Sequence, residues 1–286
     1  MTANKKIITM KFEFIFGKNF NLSPYSICLF FGTLLTILII FLVGRKKKLN
    51  YDDLFWCGVS AAVGAFLGAH ILYFLTQIPN FIEKLQQSPA IDVGDFFYKM
   101  FIASSGMVYY GGLFGALAGI CICAKARKIF NRRSYLNVFV TAFPFFHFVG
   151  RIGCVLTGCC YGIEYHGPFA IQYSEKVVTE GINDHITDFP RFPAQPLEAL
   201  CEILLFVFLL IMWKKKQDSV SLIPYYLLPY AVIRFADEFL RGDDIRGFWG
   251  PLSTSQWIAI IVAVIMVIYI IYKHSQRALK TNSEDD

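Results

Sequence analysis

The segment of the chain most suited to chemistry is HFVGRIGCVLTGCCYG, residues 147–162. It places one arginine, Arg151, inside the sequence GRIG, and three cysteines, Cys154, Cys159 and Cys160, within seven positions. A guanidinium fork binds phosphate oxygens bidentately, whereas clustered thiols bind metal, form disulfides or line pockets. The segment therefore suggests two chemistries, anion binding at the arginine and thiol chemistry at the cysteines.

A second basic group follows in IRFADEFLR, where Arg234 and Glu238 are four residues apart and Arg241 comes seven after Arg234. On a helix the first two share a face and can hold each other in place, and Arg241 is expected on roughly the same face. Gly150 and Gly153 flank Arg151 and would allow backbone or ligand to approach closely. Two or three guanidiniums converging at headgroup depth predict a lipid phosphate site, and snorkelling to the interface is the alternative.

A candidate base lies one helical turn before Arg151. His147 shares the face of Arg151 and is expected either to take a proton during catalysis or to pack as a hydrogen-bonded core residue. The cysteines also have several interpretations: polar lining of the same pocket, a structural disulfide from Cys154 to Cys159 or Cys160, or a metal, redox or acyl-carrying role.

The elements that position these residues are membrane helices. The chain has 286 residues, 56% hydrophobic and 17% charged, which is too apolar for a soluble domain. The net charge of +6 does not indicate nucleic acid, because the basic residues form short clusters between apolar runs. We predict an all-α integral membrane protein with seven spans, at 23–44, 54–78, 101–124, 135–150, 196–213, 219–233 and 252–272.

Basic clusters follow the first, third, fifth and seventh spans, which predicts an N-terminus outside and a C-terminus in the cytoplasm. Residues 1–22 are expected to form an interfacial segment, 23–272 the membrane domain and 273–286 a cytoplasmic tail. Within the membrane domain, 151–195 is expected to form a small extracytoplasmic lobe. The run GPFAIQYSEKVV predicts some strand in that lobe.

Six segments, taken in order, resemble the prolipoprotein diacylglyceryl transferase family. They are SGMVYYGGLFG (105–115), GRIGCVLTGCCYG (150–162), PFAIQYS (168–174), FPAQPLEA (192–199), IRFADEFLR (233–241) and STSQW (253–257). The second resembles the family signature, a Gly-Arg-x-Gly-Asn run that ends in Gly-x-x-x-Gly. The resemblance covers most of the chain.

The resemblance implies transfer of the diacylglyceryl group of phosphatidylglycerol to the lipobox cysteine thiol of a prolipoprotein, with release of sn-glycerol 1-phosphate. Phosphatidylglycerol, a prolipoprotein and membrane lipid are the implied partners, with no nucleic acid, and a monomer is expected. No cofactor and no metal are expected for this reaction. The implied location is the bacterial cytoplasmic (inner) membrane, with the active site on the extracytoplasmic side.

The resemblance also assigns roles to individual residues. Arg151 and Arg234 match the family's two essential arginines, and Glu238 matches the partner carboxylate. Tyr110, at the position of a family histidine, and His147, chosen for its place one turn before Arg151 and not by the resemblance, complete the expected catalytic set. Gly162 matches the glycine that closes the family signature. The expected substrate-binding set is Gly111, Gly112, Gly150, Gly153, Cys154, Cys159, Gly162 and Arg241, the glycines allowing close approach.

The chain departs from the family pattern near the chemistry. Cys154 stands where the family has asparagine, Cys159 where it has glutamate, and Tyr110 where it has histidine before Gly-Gly. Tyrosine is a poor base near neutral pH, so His147 is a candidate substitute. Two alternatives therefore remain: a related transferase with a different acceptor, and a non-catalytic lipid-binding or thiol-redox membrane protein.

Overall fold

The computed structural model describes residues 8–10, 23–86, 108–173, 186–216, 220–243 and 247–282. In these residues the chain forms seven helices: α1 (Pro24–Lys46), α2 (Tyr51–Gln86), α3 (Tyr109–Ala126), α4 (Arg132–Thr157), α5 (Ala194–Lys216), α6 (Ile223–Asp237) and α7 (Thr254–Asn282). Four short strands accompany them: β1 (Ile8–Met10), β2 (Ile171–Tyr173), β3 (Phe248–Trp249) and β4 (Leu252–Ser253).

Six of the described helices, all except α6, are long and apolar enough to cross a membrane. The chain is therefore a multi-pass membrane protein of the all-α class, as predicted. The span predicted over 219–233 corresponds to α6, which has 15 residues. The count of seven spans and the orientation remain predictions. The third predicted span begins at 101, and residues 101–107 lie outside the described part of the chain.

The chain divides into two compact units, residues 41–136 and residues 1–40 with 137–286. In the first unit, α2 and α3 pack closely through glycines. A Cβ added at Gly111 would meet the carbonyl oxygen of Gly68, and one at Gly115 would meet that of Gly64. Small residues let membrane helices approach to backbone contact.

The unit of residues 1–40 and 137–286 contains the segments with Arg151, Arg234 and the three clustered cysteines. Its helix α4 ends where Gly158 adopts φ +72°, the left-handed conformation that closes many helices. β2 follows and pairs in parallel with β1, with Ile8 opposite Ile171. This confirms some strand in the lobe. Of the predicted interfacial segment 1–22, the structure describes residues 8–10, so its membrane contact stays a prediction.

The last helix begins with a capping box. The Ser253 hydroxyl accepts from the Gln256 main-chain N–H at 3.2 Å, and the Gln256 side chain accepts from the Ser253 N–H at 2.9 Å. This reciprocal pair satisfies two donors at the N-terminus of α7. It fixes the start of the helix that carries Ser255, a residue that touches the site described next.

Candidate active site

Arg151 lies inside α4 with its guanidinium buried. The side chain donates from Nη2 to Oε1 of Glu198 on α5 at 2.8 Å, and the two residues are 7% and 2% exposed. The Nε atom of Arg151 is also buried and has no hydrogen-bond partner among the described residues. A buried donor without a partner is costly. This arginine is thus anchored on one side and retains a donor for an anion.

Arg234 sits in the last turn of α6 and has two acidic partners. Its guanidinium lies 2.5 Å from a carboxylate oxygen of Glu238 and 3.2 Å from one of Asp237. It also donates to the Ser255 hydroxyl on α7 at 3.4 Å. The contact between Arg234 and Glu238, predicted from their spacing of four residues, is confirmed.

Glu198 connects the surroundings of the two arginines. It is hydrogen-bonded to Arg151, and it interacts electrostatically with Arg234, His147 and Asp237. Groups from α4, α5 and α6 thus form one buried polar cluster. Buried charges persist only when they are paired in this way.

His147 lies between two carboxylates of α5. Its Nδ1 is 3.1 Å from Oε1 of Glu202, and its Nε2 is 3.6 Å from Oε1 of Glu198. The ring also meets Tyr230 edge-on, with centroids 5.6 Å apart. Both nitrogens of a protonated ring can therefore donate towards a carboxylate, which suits a proton acceptor and equally a buried positioning group.

The buried cluster contains more acid groups than basic ones. Two guanidiniums and one imidazole face four carboxyl groups, and all seven residues are buried: Arg151, Arg234, His147, Glu198, Glu202, Asp237 and Glu238. An anionic ligand adds further negative charge. Its binding therefore requires a proton on the cluster or displacement of a carboxylate from an arginine.

Arg241 reaches its position differently from the prediction. The helix α6 ends at Asp237, so Arg241 does not continue the helical face of Arg234, and that expectation is wrong. Turns after Asp237 redirect the chain, and Arg241 forms an isolated bridge with Gly162. Its guanidinium donates to both carboxylate oxygens of Asp243, at 2.9 and 2.6 Å. Arg241 also acts electrostatically on Cys160, as does Arg151.

The three cysteines lie together beside these arginines. The sulfur atoms of Cys154, Cys159 and Cys160 are all within 4.8 Å of one another, and each residue carries a free thiol. Hydrogen bonds from the thiols of Cys154 and Cys159 hold the pKa of Cys160 well below its usual range, and the charges of Arg241 and Arg151 act in the same direction. Cys160 is therefore the member of this group most prone to be a thiolate.

The glycines of the signature segment differ in their surroundings. A Cβ at Gly162 would meet the main chain of Phe192, and one at Gly153 would lie 2.9 Å from the ring of Tyr25 and 3.2 Å from Cβ of Cys28. Protein atoms therefore fill the space beside both glycines, and the absence of a side chain there lets neighbouring parts of the chain pack closely. No described residue lies within 4 Å of a Cβ added at Gly150, so within the described part of the chain it alone of the three faces open space.

Three predicted site residues, Tyr110, Gly111 and Gly112, belong to the compact unit formed by residues 41–136. Tyr110 is 1% exposed and its ring stacks with Phe114 at 6.0 Å. Gly111 packs against α2, whereas a Cβ added at Gly112 would make only ordinary contacts, the nearest at 3.5 Å to the oxygen of Ala65. Their roles in catalysis and substrate binding remain predictions.

Sequence reasoning missed the acidic half of the cluster. Glu198 and Glu202 lie four residues apart inside the apolar run PLEALCEILL, and paired carboxylates in a membrane helix are a functional signal in themselves. Asp237, within IRFADEFLR, was given no role in the prediction. Gln195, in FPAQPLEA, supports the cysteine loop by donating to the carbonyl of Cys159 at 2.9 Å.

Comparison with known proteins gives matches over most of the chain. The model of a family described as prolipoprotein diacylglyceryl transferase matches residues 13–272. A phosphatidylglycerol–prolipoprotein diacylglyceryl transferase 2 of Clostridium perfringens is 29% identical over 253 residues, covering 87% of this chain and 91% of the relative.

Two further relatives carry the name phosphatidylglycerol–prolipoprotein diacylglyceryl transferase. The protein of Clostridium tetani is 29% identical over 243 residues, covering 84% of this chain and 89% of the relative. The protein of Fervidobacterium nodosum is 28% identical over 286 residues, covering 95% of this chain and 89% of the relative. The similarity therefore extends through every segment that contributes to the buried cluster.

Proposed function

The chain belongs to the prolipoprotein diacylglyceryl transferase family, and from this premise we propose that Arg151 and Arg234 bind the phosphate of phosphatidylglycerol during catalysis. The protein is a transferase that moves the diacylglyceryl group of phosphatidylglycerol to a prolipoprotein thiol, the reaction for which its relatives are named. sn-Glycerol 1-phosphate is the leaving group.

The observation that carries the proposal is the free donor of Arg151. Its Nη2 is fixed by Glu198 at 2.8 Å, while its buried Nε has no partner among the described residues. A phosphate oxygen placed at Nε would satisfy that donor with a charge-assisted hydrogen bond. Lysine cannot present the same fork, because its ammonium is a point charge.

The proposed chemistry is a displacement at the glycerol carbon. The acceptor thiolate forms a C–S bond to that carbon, the C–O bond to the phosphate breaks, and the phosphate leaves with the electron pair. Negative charge grows on the phosphate oxygen as the bond breaks. Arg234, already oriented by Asp237 and Glu238, offsets that charge without reorganising, and the Arg151 guanidinium offsets it once the phosphate has bound there.

The excess of carboxyl groups supports an exchange at Arg151. We infer that the phosphate replaces Glu198 on this guanidinium, or that the cluster takes up a proton as the lipid binds. Either event relieves the repulsion between the lipid phosphate and the buried carboxylates. Glu238 and Asp237 keep Arg234 in place throughout.

The acceptor thiol must lose a proton, and His147 is proposed to take it. A proton on His147 would be shared with Glu202 and Glu198, whose oxygens lie 3.1 and 3.6 Å away. Tyr110 is the other proposed participant, at the position where the family has histidine. Cys154, Cys159, Gly150, Gly153, Gly162, Gly111, Gly112 and Arg241 are proposed to shape the substrate site.

The proposed setting is the bacterial cytoplasmic membrane, crossed seven times with α6 as the short sixth span. The N-terminus would lie outside, the tail 273–286 in the cytoplasm, and the lobe 151–195 with the active site outside. Basic residues after alternate spans support this orientation. A monomer suffices for the proposed chemistry.

Complementation in a cell depleted of its own transferase tests the proposal. Lipid attached to a lipobox cysteine is measured for the wild type, Arg151→Lys and the control Arg127→Lys. Arg127 is an exposed arginine that pairs with Asp52 and Asp53 in the other unit. Rescue by the wild type and by Arg127→Lys, with none by Arg151→Lys, supports the proposal.

Two other outcomes would overturn it. Bound phosphatidylglycerol without lipidation, by a folded and inserted protein, would indicate a different acceptor, an alternative favoured by Cys154 and Cys159 at positions of altered chemistry. No lipid turnover with any acceptor would indicate a lipid-binding or thiol-redox protein.

A further inference from the structure

The three cysteine side chains meet because of how α4 ends. Cys154 occupies the last turn of the helix, and Gly158 at φ +72° turns the chain out of it. Cys160 also adopts a left-handed conformation, with φ 56°. These two turns fold residues 159 and 160 back, so that all three sulfur atoms lie within 4.8 Å of one another.

The loop is held in this shape by contacts that do not involve the sulfurs. The Gln195 side chain donates to the carbonyl of Cys159 at 2.9 Å and to the hydroxyl of Tyr173 at 3.1 Å. The N–H of Gly242 donates to the carbonyl of Tyr161 at 2.9 Å. A non-glycine residue in the left-handed region costs about 1–2 kcal/mol, and such strain is commonly retained at functional sites.

The spacing of the sulfur atoms suits a soft metal ion. Three sulfurs at about 2.3 Å from a zinc ion lie about 3.8 Å apart in a tetrahedral site, within the separation found here. Thiolates select Zn²⁺ and Cu⁺ over hard cations. Arg151 and Arg241 interact electrostatically with Cys160 and would offset part of the negative charge of three thiolates.

We propose that Cys154, Cys159 and Cys160 form a binding site for one thiophilic metal ion, Zn²⁺ or Cu⁺, held by three sulfur atoms. A zinc ion bound in this way keeps a fourth position open for water or another ligand. Gln195 holds the main chain of Cys159 and so orients the ligand loop, as groups hydrogen-bonded behind the ligands do at metal sites. This site goes beyond the proposed transfer reaction, in which no metal takes part.

A second group of potential ligands, His147, Glu198 and Glu202, is a weaker candidate. Its members also lie within 4.8 Å of one another. However, Glu198 is bound to Arg151, and His147 already faces both carboxylates. A cation at that position would have to displace a guanidinium, whereas the sulfur cluster requires no such exchange.

The test uses the full chain, purified in detergent under anaerobic reducing conditions, with Zn²⁺ as the probe. Bound zinc is counted by mass spectrometry, and alkylation of thiols is followed by intact mass. We expect one zinc ion per chain and protection of three thiols from alkylation. Cys159→Ser/Cys160→Ser should weaken zinc binding at least about 100-fold, and Gln195→Ala about tenfold. The control variant Cys121→Ser, which removes an exposed cysteine of α3, should bind zinc as tightly as the wild type.

Several results would overturn the site. The reduced wild type could bind no zinc, or the double variant could bind as much as the wild type. A disulfide among the three cysteines that persists under these reducing conditions would also exclude it. The protection of thiols in the wild type needs no variant, so it remains decisive if the double variant fails to fold.

Discussion

Oε1 of Glu198 on α5 accepts a hydrogen bond from Nη2 of Arg151 on α4 at 2.8 Å, in a site that is almost closed to solvent. The pair joins residues 47 positions apart in the chain. It orients the guanidinium, and its Nε has no hydrogen-bond partner in the described part of the chain. In the proposed mechanism this carboxylate is both the support of Arg151 and the group that the lipid phosphate replaces.

Glu198→Gln should separate these two roles. We expect the KM for phosphatidylglycerol to fall, because the phosphate no longer competes with a carboxylate for Arg151. We expect kcat to stay close to the wild-type value, because the phosphate has already replaced this carboxylate on Arg151 when the C–O bond breaks. Steady-state kinetics in mixed micelles measure both. Glu164→Gln, which alters an exposed carboxylate paired with His166, is the matched control. An increase in KM would count against the exchange.

Gly150→Ala and Gly162→Ala form a contrasting pair within one segment. A Cβ at Gly162 meets the main chain of Phe192, so we expect unfolding to become easier by about 1–3 kcal/mol. Gly150 is helical, and none of the residues that the structure describes lies within 4 Å of a Cβ added there, so alanine should be neutral or stabilising by up to about 1 kcal/mol. Thermal unfolding in detergent measures the difference.

The activity of Gly150→Ala then tests the substrate assignment. A stable variant with greatly reduced transfer would show that the lipid occupies the open space beside Gly150. A stable variant with full activity would remove Gly150 from the substrate-binding set. Equal destabilisation by both alanines would contradict the packing at Gly162.

His147→Ala tests the proposed base. General base catalysis contributes about 10²–10⁴-fold in rate, so we expect kcat to fall at least about 100-fold with a lipobox peptide as acceptor. His166→Ala removes an exposed histidine that also pairs with a glutamate, at 2.9 Å, and should leave kcat unchanged. If His147→Ala transferred lipid at the wild-type rate, His147 would be a core residue and the base would have to be sought elsewhere.

Local relationships in this molecule were accessible from the sequence. The contact of Arg234 with Glu238 follows from a spacing of four on a helix, and the strand at Ile171–Tyr173 follows from local composition. The membrane-spanning helices follow from uninterrupted apolar runs. In the first two cases the residues concerned are close in the chain. In the third, the length of an apolar run is set by the thickness of the membrane that the helix must cross.

Relationships that depend on tertiary packing were not accessible. No local pattern pairs Arg151 with Glu198, or places Phe192 against Gly162. The expectation that Arg241 lies on the same helical face as Arg234 was wrong because α6 ends at Asp237. Turns after that residue place the Arg241 side chain beside Asp243. The carboxylates of α5 carried a signal, since charged pairs in apolar helices are rare.

Arg151→Lys tests whether the guanidinium of Arg151 binds the lipid phosphate. Transfer of a labelled diacylglyceryl group from phosphatidylglycerol to a lipobox peptide is measured in proteoliposomes, beside Arg127→Lys. Losing a preorganised donor to a developing charge costs about 10²–10³-fold in rate, and we predict a loss of this size for Arg151→Lys alone. Transfer by a folded Arg151→Lys protein at the wild-type rate would contradict the account.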